Sequence, residues 1–306
     1  MVHDPENIDH PATAGGASPL LVCLTLAALG CGGDKLDSAD PCPGWAEPVA
    51  VNTVAFDGLD EASGLTSSLL HPGLMWTHND DSDGDGQVFA LSTGATIEGT
   101  FTLGGSEPED WEAIAATGYR GESELIVGDI GDNDAVRDDI TLFITPEPTV
   151  IEAEMTAPIV TRASFSLPDG PTDIEAMLVD PATGAVLLFT RNADRTDVYA
   201  VASLDDRDAT PTLAASIDLN TAPYDGLGAV RAADVAADGS VVLRLSDGVV
   251  WLQGNGSAID ALDSDACVVP SPPETDGEGV AIIGSDLYFI GEGASPTLWF
   301  VQRSSG

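Results

Sequence analysis

The chain has 306 residues, with 51 acidic side chains against 10 basic ones, a formal net charge of −41, and Lys35 as its only lysine. That balance excludes nucleic acid and anionic membrane surfaces as partners, because both need a basic face. Helix signals are nearly absent: 33 glycines and 20 prolines punctuate short β-branched runs, which makes the class all-β.

In chain order, the first feature is the apolar run Leu20 to Leu29, of signal-peptide rather than transmembrane length. Residues 1–30 read as an export signal and 31–45 as a tether. Ala28-Leu29-Gly30-Cys31 resembles a bacterial lipobox, so Cys31 is the expected lipidation site; the alternative is an ordinary cleaved signal peptide. Residues 1–18 carry no Lys or Arg, where a signal normally begins with positive charge. The chain is expected to be exported and held by its lipid at a periplasmic or cell-surface face, touching membrane only through that anchor. With Cys23 inside the signal and Cys31 lipidated, Cys42 and Cys267 remain. In an oxidising compartment they form a disulfide or stay as two thiols.

Residues 46–306 read as one domain built on a repeat. Asp110-Trp111-Glu112-Ala113-Ile114 returns as Asp173-Ile174-Glu175-Ala176-Met177 and as Asp276-Gly277-Glu278-Gly279-Val280. Degenerate copies are Glu61-Ala62-Ser63-Gly64-Leu65 and Arg231-Ala232-Ala233-Asp234-Val235, and an apolar run follows each copy. Spacings of about 49, 63, 58 and 45 residues suit propeller blades and exceed most solenoid repeats. Val49 to Val54 reads as the strand that closes the ring on the last blade. The expected fold is a β-propeller of five blades, or six if the long interval around Val150-Ile151-Glu152-Ala153-Glu154 hides another unit.

Residues two apart on a strand share a face. If the repeats are innermost strands, Asp110 with Glu112, Asp173 with Glu175, and Asp276 with Glu278 converge on the central channel, joined by Glu61. Like charges so crowded either raise one another's pKa or recruit a cation. An all-oxygen donor set suits calcium, and the scarcity of His and Cys argues against zinc. The ends of the second strands add Asp129 and Asp132 to the metal candidates. Asp81, Asp83 and Asp85, in a D-x-D-x-D-G loop, form a second calcium candidate or a solvated acidic turn.

The same strand ends place polar groups where a ligand could meet them: His78, Asn79, Asp129, Asn133, Arg191, Arg244 and Glu292. Arg231 joins them from the first-acid position of the fourth copy. The three arginines either hold a phosphate or carboxylate or neutralise the carboxylates internally. His78 is a general-base candidate or a hydrogen-bonded structural group, and Trp111 reads as blade core. Catalytic candidates are therefore His78, Arg191, Arg231 and Arg244.

The Asp110 and Asp173 motifs, together with Gly128-Asp129-Ile130-Gly131-Asp132-Asn133, resemble bacterial exported propellers of the phytase-like or esterase-like kind. Asp276-Gly277-Glu278-Gly279-Val280 resembles the D-x-E-G repeats of β-propeller phytases, which hold calcium on channel carboxylates and hydrolyse phosphomonoesters. The resemblance covers roughly residues 55 to 302 and implies the same fold, calcium and axial site. The expectation is a monomeric, calcium-binding propeller that recognises a small polar or anionic ligand. The alternatives are calcium-dependent phosphoester hydrolysis, with the three arginines on the phosphate, and a scaffold without a ligand.

Overall fold

The computed structural model describes residues 42–80, 86–158, 161–206 and 209–304. Cys31 and the Asp81, Asp83 and Asp85 loop lie outside them. Strand β1 (Val49–Thr53) comes first. Blade one follows as β2 (Ala62–Ser67), β3 (Leu74–Asn79), β4 (Gln87–Ser92) and β5 (Ile97–Gly104). Blade two takes β6 (Trp111–Thr117), β7 (Glu124–Asp129) and β8 (Ile140–Pro146); β9 (Glu154–Pro158) leaves it, and β10 (Thr161–Phe165) completes it.

Blade three is β11 (Ile174–Val179), β12 (Val186–Thr190), β13 (Arg195–Val201) and β14 (Thr212–Asp218). Blade four is β15 (Val230–Val235), β16 (Val241–Leu245), β17 (Gly248–Leu252) and β18 (Ala266–Val269), with the short helix α1 (Ala258–Ala261) before its last strand. Blade five is β19 (Gly277–Ile283), β20 (Asp286–Gly291) and β21 (Thr297–Val301), and β1 closes it by pairing antiparallel with β21.

Five sheets arranged in this way are a five-bladed β-propeller. Among the described residues the long second interval forms no sixth blade: β9 adds to blade one as a fifth strand, parallel to β5. Innermost strands β2, β6, β11, β15 and β19 pack in sequence around the axis, and β19 returns to β2. Sequence dictates this layering. Second strands such as Val186-Leu187-Leu188-Phe189-Thr190 are buried throughout, because both faces of a blade meet a neighbour, so they read as continuous apolar runs rather than alternating ones. Outer strands such as β14, largely exposed, carry the polar residues.

Closure is reinforced beside β1. Cys42 and Cys267 form a disulfide across 225 residues of sequence. Trp45 bridges to Arg303, whose guanidinium lies 5.8 Å from the Trp45 ring and 5.2 Å from Trp251. Among the described residues, no helix is long and apolar enough to cross a membrane.

Candidate functional site

Every innermost strand carries a β-bulge near its start, and the register shifts leave Gly64, Glu112, Glu175, Arg231 and Glu278 opposite no partner. A bulge re-aims a side chain out of the pleat. The repeat therefore serves to deliver one residue per blade to the same end of the axis. This register corrects the sequence alignment in two blades. Arg231 takes the place of Glu112, not of Asp110, and Gly64 rather than Ser63 stands at that place in blade one. Glu61 then falls outside the ring: it is exposed, and its N–H donates to Asn79 Oδ1. Asp80, at the end of β3, takes its place among the carboxylates.

Half of the ring is ion-paired. Glu175 pairs with Arg191 at 2.5 Å and with Arg231 at 3.2 Å, and Arg231 reaches on to Glu278 at 3.0 Å. Arg191 also donates to Asn133 Oδ1 at 3.1 Å and lies 3.6 Å from Asp173. The Asp173 carboxylate accepts the Asp132 N–H. Burial still pushes Glu278 up to about 8 against the pull of Arg231. Asp276 and Glu292 are exposed at the rim; Asp276 accepts from the Thr275 hydroxyl at 3.0 Å. Glu292 is raised by partial burial, then by Asp276.

The other half has no arginine at ion-pair distance among the described residues. Asp80, Asp110 and Glu112 each offer an oxygen within 4.8 Å of the others. Burial pushes Glu112 up to about 11, with Glu175, Asp80, Asp110 and Asp173 adding to it. Burial, then Asp110, moves Asp80 up to about 7, and Asp110 is raised as well, again chiefly by burial. Gly131 is packed against this trio: a Cβ there would fall 2.4 Å from Asp110 Cγ and 2.8 Å from Glu112 Oε1. Arg137 acts on Asp110 only from beyond ion-pair distance; three convergent carboxylates without a paired cation among the described residues either hold protons or hold a hard cation, and their all-oxygen character fits calcium or magnesium.

Other sequence candidates have structural work instead. His78 is fully buried against Trp111, ring centroids 5.7 Å apart, with Nδ1 3.0 Å from the Asn79 carbonyl. Burial pulls its pKa down to about 4, so it is neutral and out of reach of a substrate. Asn79 spends its amide on Gly58 and Glu61. Asp129 is buried, accepting the N–H groups of Glu109 and Asp110 and pairing with Arg137 at 2.8 Å. Asp132 accepts from the N–H groups of Val136 and Arg137. Arg244 is not a mouth residue: it is 3% exposed, donates to the Gly279 and Ile290 carbonyls and pairs with Glu274 at 2.6 Å. Among the described residues, Asp110, Glu112, Asp173, Glu175, Arg191, Arg231, Glu278 and Asn133 come together with Asp80, and Glu292 is near enough to act on Asp80, Glu278 and both arginines.

No protein-family model matches the chain, and no curated protein matches it in sequence. Solved structures do. A glucose dehydrogenase aligns at TM-score 0.50 with 7% identity over 85% of this chain and 100% of its own. The likeness is one of fold. A gluconolactonase aligns at 0.43 with 13% identity over 85% of this chain and 92% of its own, and Chaetomium thermophilum Raptor at 0.40 with 11% identity over 81% and 20%.

Deeper in the channel sits an acid that sequence reasoning passed over. Asp234 on β15 accepts the Ile282 N–H of blade five at 2.7 Å and bonds the Thr66 hydroxyl of blade one, while Thr66 Oγ1 accepts the Ala116 N–H of blade two. Blades four and one both flank blade five, so the Asp234 carboxyl ties three blades together. Full burial raises it to about 7. A folded pKa above the unfolded one favours the protonated form in the native state, so this contribution holds at low pH and is lost as pH rises through about 7. Between roughly pH 5 and pH 8 the wild type should lose on the order of 2–3 kcal/mol through this group. Asp234→Asn, which keeps an acceptor for Ile282, should remove that part of the slope in urea melts; equal slopes in both proteins would refute the assignment.

Proposed function

We propose that the chain is an exported, lipid-anchored propeller that holds a calcium ion on Asp80, Asp110 and Glu112 and recognises a small, oxygen-rich anionic ligand at that end of its axis. The observation carrying this reading is the contrast within one ring. Glu175 and Glu278 have arginines, whereas Asp80, Asp110 and Glu112 have none within ion-pair distance among the described residues. Calcium takes six to eight oxygens, so three carboxylates leave positions for water or for the oxygens of a ligand. Magnesium is the poorer fit, because it demands near-octahedral geometry and gives up its waters reluctantly.

The arginines support an anionic ligand beside that ion. Arg191 and Arg231 keep side-chain exposures of 30% and 23% at the mouth, and Arg191 makes its contacts through Nη1 alone. A carboxylate or phosphate group could then bond the rest of its planar fork. We do not extend the proposal to phosphoester hydrolysis: Arg244 is committed to the interior, and His78 cannot act as base from beneath Trp111. A glucose dehydrogenase or gluconolactonase likeness at these identities bears on fold alone.

Calcium titration tests this directly. At a free concentration a hundredfold above its Kd, calcium should stabilise the protein by about 2.7 kcal/mol, read as a rise in melting temperature that chelator reverses. Glu112→Gln should abolish the rise while folding normally in chelator, because without the metal the Glu112 carboxyl, pushed up to about 11, is already neutral. A wild-type melting temperature indifferent to calcium would end the proposal.

A further inference from the structure

The end of the channel away from the carboxylates is built differently. Near their last residues the innermost strands present Ser67, Thr117, Val179, Val235 and Ile282, one from each blade, and with their loops these line a cavity of about 480 Å³. That volume lies within the range of small-molecule sites. No charged side chain lines it, although 20% of the chain is charged residues. Asp234, one residue before the lining, is buried and bonded by the Ile282 and Val235 N–H groups and the Thr66 hydroxyl, so it offers the cup nothing. Arg120, one residue after it, is paired with Glu124 and Asp205.

Leu69 and Tyr119 stand at the rim, 51% and 53% exposed, and both are held there. The Leu69 N–H donates to Glu147 at 3.3 Å and the neighbouring Ser68 hydroxyl donates to the same carboxylate. Glu147 is buried and also takes the Trp76 indole and the Ser123 hydroxyl, so it anchors the loop that carries Leu69. The Tyr119 N–H donates to Thr117 Oγ1 at 3.2 Å, and its ring lies where only a glycine at 184 leaves room. Large apolar groups fixed half in water around a concave wall mark a ligand groove, and an ordered rim spares a ligand the cost of ordering it. Thr117 Oγ1, having accepted from Tyr119, keeps its own proton to donate, and among the described residues no acceptor takes it.

We propose that this cup binds an uncharged organic molecule: an apolar body against Val179, Val235, Ile282 and the Tyr119 ring, with a hydroxyl, ether or carbonyl oxygen accepting from Thr117. The lining selects the charge state. A cation entering the cup gives up hydration with no carboxylate to receive it. An anion approaches a chain of net charge −41 and finds no base at the end. A neutral molecule meets neither penalty. The inference is independent of the calcium site at the opposite end.

The test uses the full chain and three probes of one shape: cyclohexylmethanol, cyclohexylmethylammonium and cyclohexanecarboxylate. Titrations are followed calorimetrically in roughly 0.3 M salt to screen the acidic surface. The alcohol should bind saturably at one site, about tenfold or more tighter than either ion. Thr117→Val should weaken the alcohol about fivefold, the worth of one neutral hydrogen bond. Ala237→Trp, at an exposed lining position, should fill the opening and abolish binding, and Glu112→Gln should leave it unchanged. Absence of saturable alcohol binding, an ion bound as tightly as the alcohol, binding indifferent to Thr117→Val, or binding that survives Ala237→Trp would each overturn the proposal. So would binding lost in Glu112→Gln, which would place the probe at the carboxylate end, or wild-type dimerisation in sedimentation that Ala237→Trp abolishes, which would give the rim to a second copy of the chain.

Discussion

Replacing Cys267 by Ser is expected to lower stability by about 5 kcal/mol, the chain-entropy value for cross-linking a loop of over 200 residues, and the melting temperature by on the order of 10 °C for a domain of this size. The reason lies in how the ring is shut. The four antiparallel strands of each other blade lie near one another in sequence, but blade five needs β1, and β1 is exposed along its whole length. It is held by ladder hydrogen bonds to β21 with a register break between Ala50 and Asn52, so it buries little apolar surface. The disulfide and the Trp45–Arg303–Trp251 stack carry most of the closure. Chemical denaturation of Cys267→Ser and of Cys42→Ser/Cys267→Ser should show the same loss, since the cross-link and not a thiol is at issue. A loss under about 1 kcal/mol would mean that the noncovalent seam closes the ring unaided.

The ring was legible from sequence because a propeller repeats its unit, and a repeated D-x-E-x-apolar pattern survives even where individual blades diverge. The closing strand followed from the same count: a partial period at each end of the chain has to meet somewhere. Legibility stopped at the bulges. Alternation of faces assumes an unbroken pleat, and a bulged residue breaks it, so Asp110 and Glu112 come together through a register shift rather than through shared parity. The same break sets the fourth copy two residues away from its place by sequence pattern. Arg231 looked like a replaced first acid, yet it is the bulged residue itself.

Three further residues show where one-dimensional reading runs out. Asp80 belongs to the acidic trio through the end of β3, a neighbouring strand, and its spacing from Asp110 carries no periodic signal. Asp234 sits in a run of small apolar residues, where an isolated acid could have been marked as unusual, but its partners lie on β2 and β19, 168 and 48 residues away by its contacts with Thr66 and Ile282. Arg244 and Arg191 both fall near the ends of second strands. Its register partner is Ala232, one step further from the mouth than the strand-end position, and that step turns the side chain between blades four and five.

The fate of Arg244 leads to the second large effect: Gly277→Ala should cost about 4–5 kcal/mol or prevent folding. A Cβ on residue 277 would fall 1.5 Å from Arg244 Nη2 and 2.0 Å from Cζ, so the guanidinium has to leave. It has nowhere near at hand to go, being stacked 5.5 Å over the Phe289 ring and 3% exposed. Expelling it strands the Glu274 carboxylate and leaves the Gly279 and Ile290 carbonyls without this donor; breaking a buried pair in this way costs about 3–5 kcal/mol. The damage also reaches the mouth, because Glu278 is the next residue and its pairing with Arg231 depends on where β19 begins. Shortening the arginine should relieve the clash: Arg244→Ala and Gly277→Ala combined should be less damaging than their sum by about 2 kcal/mol, the coupling expected of residues in direct contact. Urea melts of the four proteins in that cycle decide it. Strict additivity would mean that Arg244 is free to move, and that the glycine opening the last blade is there for some reason other than the arginine above it.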